Sequence, residues 1–83
     1  FIEQQLGPIL ALPKRPRATL LATLEALVRA RFTIAAAARI LGVRRQTIYY
    51  RIEQLTAMLG DLEVPYRRAA FAVALELLKR SPS

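Results

Sequence analysis

TIAAAARILGVRRQTIYYRI, residues 33–52, reads as two short helices folded about one glycine. The first is expected over 34–41, with Thr33 as its N-cap, the hydroxyl accepting a bond from a free backbone N–H. Gly42 follows at the position where a helix is most easily closed by a left-handed residue. After Val43 a second helix is expected from 44 or 45 to 59. Two helices joined this tightly cross steeply and touch over a small area, which small side chains allow. Ala37 and Ala38 supply that contact, and Leu41 and Val43 seal the elbow against Ile48. Along the second helix Ile48, Ile52, Leu55 and Leu59 recur at spacings of four, three and four, a narrow apolar seam. This is the pattern of a helix-turn-helix.

The opposite face of that second helix carries the chemistry. On a wheel centred on Ile48, Gln46, Tyr50 and Glu53 lie away from the seam, and Tyr49 lies on the flank beside Arg45. Its first turn is Arg44, Arg45, Gln46 and Thr47. Arginine matches guanine O6 and N7 bidentately, and glutamine matches adenine N6 and N7. Arg45 is the expected base-reading residue, with Arg44 and Gln46 behind it. Thr33, Arg39, Thr47, Tyr49 and Arg51 suit the phosphate backbone, and Tyr50 suits phosphate, sugar or base edges. A helix–glycine–helix corner also occurs in bundles that bind no nucleic acid. What favours double-stranded DNA here is the Arg-Arg-Gln-Thr start and the lack of any acid between Ile34 and Ile52.

Outward from the motif, a helix is expected over 16–31, where Leu20, Leu24, Leu27 and Val28 form one stripe with Leu21 beside them. Residues 1–12 form an apolar lead-in broken by Gly7-Pro8, with Pro8 placed to open a short helix. Residues 13–16, Pro-Lys-Arg-Pro, read as a loop because proline disfavours helical backbone in the residue before it. Gly60-Asp61 stops the motif's second helix. Pro65 opens a closing helix over 65–80, with Phe71, Ala74, Leu75 and Leu78 on one face and Val73 and Leu77 off it. That second apolar face suits dimerisation, docking to an upstream domain, or burial in its own core. The expectation is a small all-α bundle of four to five helices forming a single domain over 1–83, with the helix-turn-helix at 33–59.

Composition agrees. Of 83 residues 54% are hydrophobic, mostly Leu and Ala, which supports a helical core and argues against disorder. The net charge is +7 and unevenly spread: residues 14–51 hold nine bases and one acid, Glu25. A field of that kind suits a polyanion. With no cysteine or histidine, thiolate metal sites, Cys nucleophiles and imidazole acid–base chemistry are excluded. Glu3, Glu25, Glu53, Asp61, Glu63 and Glu76 are scattered, and Gly7, Gly42 and Gly60 form no phosphate loop. No catalytic residue, metal or cofactor is expected. No apolar run approaches the ~20 residues of a membrane span, and the chain reads as a piece of a larger cytoplasmic protein.

Taken in order, these segments resemble the C-terminal domain of the PucR/CdaR group of bacterial regulators. Phe1 and Leu6-Gly7-Pro8-Ile9-Leu10 resemble its opening segment, and Leu20-Leu21 with Thr23-Leu24 its "LL-x-TL" helix. Ala36-Ala37-Ala38-Arg39 with Leu41 resembles "AAARxL". Val43, Arg45, Thr47, Tyr50 and Arg51 resemble "VHRNTLxYRL", with Ile48 and Ile52 replacing its leucines. Pro65, Arg68 and the Ala74-Leu75 region resemble its last helix. Arg44 stands where the group has His, Gln46 where it has Asn, and Arg31-Phe32 where it has a glycine-containing turn. The motif is also similar to the Fis-like helix-turn-helix. The resemblance implies a sequence-specific DNA-binding transcription regulator, acting as a dimer or larger oligomer, with a sensory domain upstream. The alternative is a helical protein-interaction module without DNA contact.

Overall fold

Every segment with helical apolar spacing is a helix in the computed structural model, which describes residues 1–80. The last three positions of the expected domain, 81–83, lie outside the described residues. Among those described there are five helices and no strand: α1 (Ile2–Leu10), α2 (Lys14–Arg29), α3 (Ile34–Leu41), α4 (Arg45–Leu59) and α5 (Pro65–Arg80). The fold is all-α, as the sequence implies.

One core joins all five. Leu6 and Ile9 of α1, Leu24 and Leu27 of α2, Ile48 and Leu55 of α4, and Phe71 of α5 are fully buried. Of the first motif helix, α3, only Ala37 and Ala38 are buried, with Ile34 and Leu41 packed half-buried against the core. The small alanine side chains let α3 lie close to both α2 and α4.

Three local expectations need correction. Pro8 does not open a helix; it sits inside α1, which starts at Ile2. A start at Pro8 would leave Leu6 outside the helix, whereas the observed start sets Leu6 and Ile9 on one buried face. Residues 13–16 are not a loop. Pro13 is the N-cap of α2, with ψ 157°, and the helix begins at Lys14. Pro16 falls at the third helical position, where a backbone N–H has no acceptor within the helix, so its absence costs little. At the other end α2 stops at Arg29 rather than Arg31, because Arg31 and Phe32 both take left-handed backbone, with φ 52° and 61°. The Arg31 N–H donates to the Val28 carbonyl (3.1 Å) and the Phe32 N–H to the Leu27 carbonyl (2.7 Å). This is a Schellman closure made without glycine. The guanidinium of Arg68 lies 4.3 Å from the centre of the Phe32 ring and holds that corner from outside.

The motif's own turn follows expectation. Gly42 is left-handed, φ 67°, and the same closure recurs: the Val43 N–H donates to the Ala38 carbonyl (3.0 Å) and the Gly42 N–H to that of Arg39 (3.3 Å). No atom lies within 4 Å of a Cβ built on Gly42, so any penalty for a side chain there is backbone strain. Gly42→Ala is expected to lower stability by about 1 kcal/mol, the left-handed penalty less the entropy removed from the unfolded chain. The midpoint of a urea titration measures it.

Between α4 and α5 the chain turns at Gly60 (φ 85°, ψ −164°). Two consecutive arginines brace this link. Arg67 donates to the Leu59 carbonyl and stacks on Phe71, 4.8 Å from the ring centre. Arg68 donates from Nε to the Leu62 carbonyl at 3.0 Å. The Leu59 carbonyl at the end of α4, which lacks a partner within the helix, and the Leu62 carbonyl of the link are thereby satisfied from α5.

Candidate nucleic-acid interface

The Gly42 turn and the buried side of α4 together determine which side chains face outward. Ile48, Leu55 and Leu59 are buried and Ile52 is half-buried. With that seam fixed, the 100° step of the helix aims the remaining positions. Arg44, Arg45 and Gln46 are exposed, Tyr49 is 56% exposed and Tyr50 62%. Two tyrosines this open lie next to two arginines and a glutamine, and such an exposed aromatic pair is uncommon on a polar surface. Arg44 is the N-cap of α4, with extended backbone and no side-chain cap bond. No side chain thus caps the N–H groups of Arg45 and Gln46, at the same end as the cations, while the Thr47 N–H donates to the Arg44 carbonyl (3.0 Å).

Arg45 and Tyr49 lie on one flank of this face, and Thr47 and Arg51 on the other. Thr47 is half-buried. Arg51 is half-buried and reaches back to α2, where its Nη1 donates to the Thr23 hydroxyl at 3.2 Å. Sequence reasoning assigned Arg51 to the phosphate backbone and missed this tie. It depends on how α2 crosses α4, which no local pattern records. Thr23 itself carried a weak signal, as a polar residue within the Leu20–Leu24–Leu27 stripe.

On α3, Thr33 occupies the N-cap with extended backbone (φ −84°, ψ 116°), but its hydroxyl makes no cap bond. The position was expected and the hydrogen bond was not found. Thr33 is exposed, and so is Arg39 near the other end of α3. The residues proposed from the sequence therefore fall in two groups: Arg44, Arg45, Gln46, Thr47, Tyr49, Tyr50 and Arg51 on one helix, and Thr33 and Arg39 at opposite ends of its neighbour.

Glu53 bounds the face. It is exposed and shares the outer side with Gln46, two turns further along α4. A carboxylate there repels phosphate, which confines the cationic surface to the first two turns. The cations of the motif are unengaged by acids: the two ion pairs among the described residues are Lys79–Glu25 (2.6 Å) and Arg80–Glu76 (3.3 Å). Val73 and Leu77 of α5 are exposed and stand away from this surface on their own helix. Among the described residues no group of three potential metal-ligating side chains occurs, and no helix is long and apolar enough to cross a membrane.

A family model described as the PucR C-terminal helix-turn-helix domain matches residues 20–77, from within α2 to within α5. No curated protein and no solved structure matches the chain.

Proposed function

Because the chain belongs to the family of PucR C-terminal helix-turn-helix domains, we propose that it is the DNA-binding domain of a transcription regulator, with α4 seated in the major groove of double-stranded DNA. The observation that carries this reading is the single exposed face formed by Arg44, Arg45, Gln46, Tyr49 and Tyr50 on a helix buried along its other side. Docking by the first turn of a second motif helix is the known geometry of helix-turn-helix proteins.

In this docking Arg45 reads a base, with Arg44 and Gln46 next to it. Thr33, Arg39, Thr47, Tyr49 and Arg51 hold phosphates, and Tyr50 lies against phosphate or sugar. The Thr33 hydroxyl is unspent on its own helix. Arg51 keeps further guanidinium donors after the one given to Thr23. One domain offers few base contacts, so tight specific binding calls for two copies, with their α4 helices about 34 Å apart, one turn of DNA. Residues 1–83 then serve as the terminal reading unit of a dimeric regulator, present where DNA is, in the cytoplasm, and governed by a sensory domain upstream. Nothing in this role requires catalysis or a cofactor.

Fluorescence anisotropy with a random-sequence duplex tests the reading. Affinity is expected to fall as salt rises, with log K against log salt declining by about 0.9 for each phosphate neutralised. A protein that leaves the duplex unbound even at low salt would instead be a protein-interaction module.

A further inference from the structure

Thr23 is the one polar residue classed as buried among the described residues, at 0% exposure. Its hydroxyl proton goes to the Thr19 carbonyl at 2.8 Å, so its oxygen is left to accept from Arg51 Nη1 at 3.2 Å. This pair fixes which side of α2 borders which side of α4. On α4 the bordering flank is that of Thr47 and Arg51, at the edge of the proposed groove-facing surface. On α2, Thr19 precedes Thr23 by one turn and Arg15 precedes Thr19 by one more. They are rotated from Thr23 by about 40° and 80°, away from the buried leucines. Both are exposed. Arg15 and Thr19 thus continue, toward the N-terminus of α2, the side of that helix whose Thr23 meets Arg51.

The charge of Arg15 does no local work. It is one of the bases in a first turn of α2 that contains no acid, where positive charge opposes the helix dipole. It takes no part in either ion pair among the described residues.

We infer that α2 is a second DNA-contacting element, in which Arg15, with Thr19 beside it, takes phosphates of the strand that borders the groove on the Arg51 side. This rests on the DNA-binding reading above and extends it beyond the helix-turn-helix. The bond between Arg51 and Thr23 is what brings the two helices to the same strand.

The test compares Arg15→Ala, Arg15→Lys and Arg80→Ala in salt titrations of duplex binding, with circular dichroism to confirm folding. Arg80 is exposed and lies on α5, whose Lys79 pairs with Glu25 on the far side of α2 from Thr23. Arg15→Ala is expected to flatten the salt slope by about 0.9 and to weaken specific and random duplexes by the same factor. Arg15→Lys keeps the slope, and Arg80→Ala leaves it unchanged. If Arg15→Ala keeps the wild-type slope while Arg45→Ala still loses base preference, this inference fails and the DNA-binding reading survives. An equal flattening by Arg80→Ala would also overturn it, since charge anywhere on the domain would then suffice. If the unaltered protein shows no salt-dependent binding, both fail together.

Discussion

Arg45→Ala is expected to weaken binding to a duplex selected from a random pool by roughly 5- to 150-fold, corresponding to about 1–3 kcal/mol, and to erase the preference at one base position. The effect should be large for a physical reason. A guanidinium facing guanine makes two parallel hydrogen bonds in a groove from which water is displaced, and truncation leaves both base acceptors without a partner. Arg45 is exposed and makes no hydrogen bond or ion pair within the fold among those found for the described residues, so the variant should keep its melting temperature. Selection repeated on the variant provides the check. Unchanged affinity together with an unchanged preferred sequence would remove α4 from the groove.

The second large effect is on stability. Phe71 is fully buried and carries the Arg67 guanidinium against its ring. Phe71→Ala should cost roughly 3–5 kcal/mol, from lost burial and from the cavity left behind. Domains generally have only about 5–15 kcal/mol in total, and one of this length sits toward the lower end because its core is thin. The variant should therefore melt far below the parent, at the edge of folding at 37 °C. The loss extends to the base of α4, because Arg67 also holds the Leu59 carbonyl. Thermal unfolding followed by circular dichroism measures the shift, and a drop of only a few degrees would contradict the packing described.

The motif was legible because its constraints are local. Two alanines, one glycine and a four–three–four apolar spacing suffice to place α3, the turn and α4 to within a residue. Exposure of Arg44, Arg45, Gln46 and the two tyrosines followed from the same spacing. What escaped the sequence was of two kinds. Proline at the third position of α2 looks like a breaker and is not, and the residue types of Arg31-Phe32 do not announce left-handed backbone, although they stand where the resembling group has a glycine-containing turn. The other misses are contacts between segments distant in the chain. Arg51 meets Thr23, and Arg67 and Arg68 grip the link behind α4, only once the helices have crossed. The Thr33 hydroxyl shows a finer limit: residue type identified the N-cap position but not the rotamer.

The position of Glu53 bears on how much information one copy can extract from a genome. If the carboxylate closes the reading surface after two helical turns, about 10 Å of helix remains, the span of roughly three base pairs. A word of three letters recurs about once in 64 steps along random DNA, against roughly a million or more competing addresses in a chromosome. An isolated copy would therefore be a poor locator, and a distinctive address would have to be spelled by several copies spaced along the duplex.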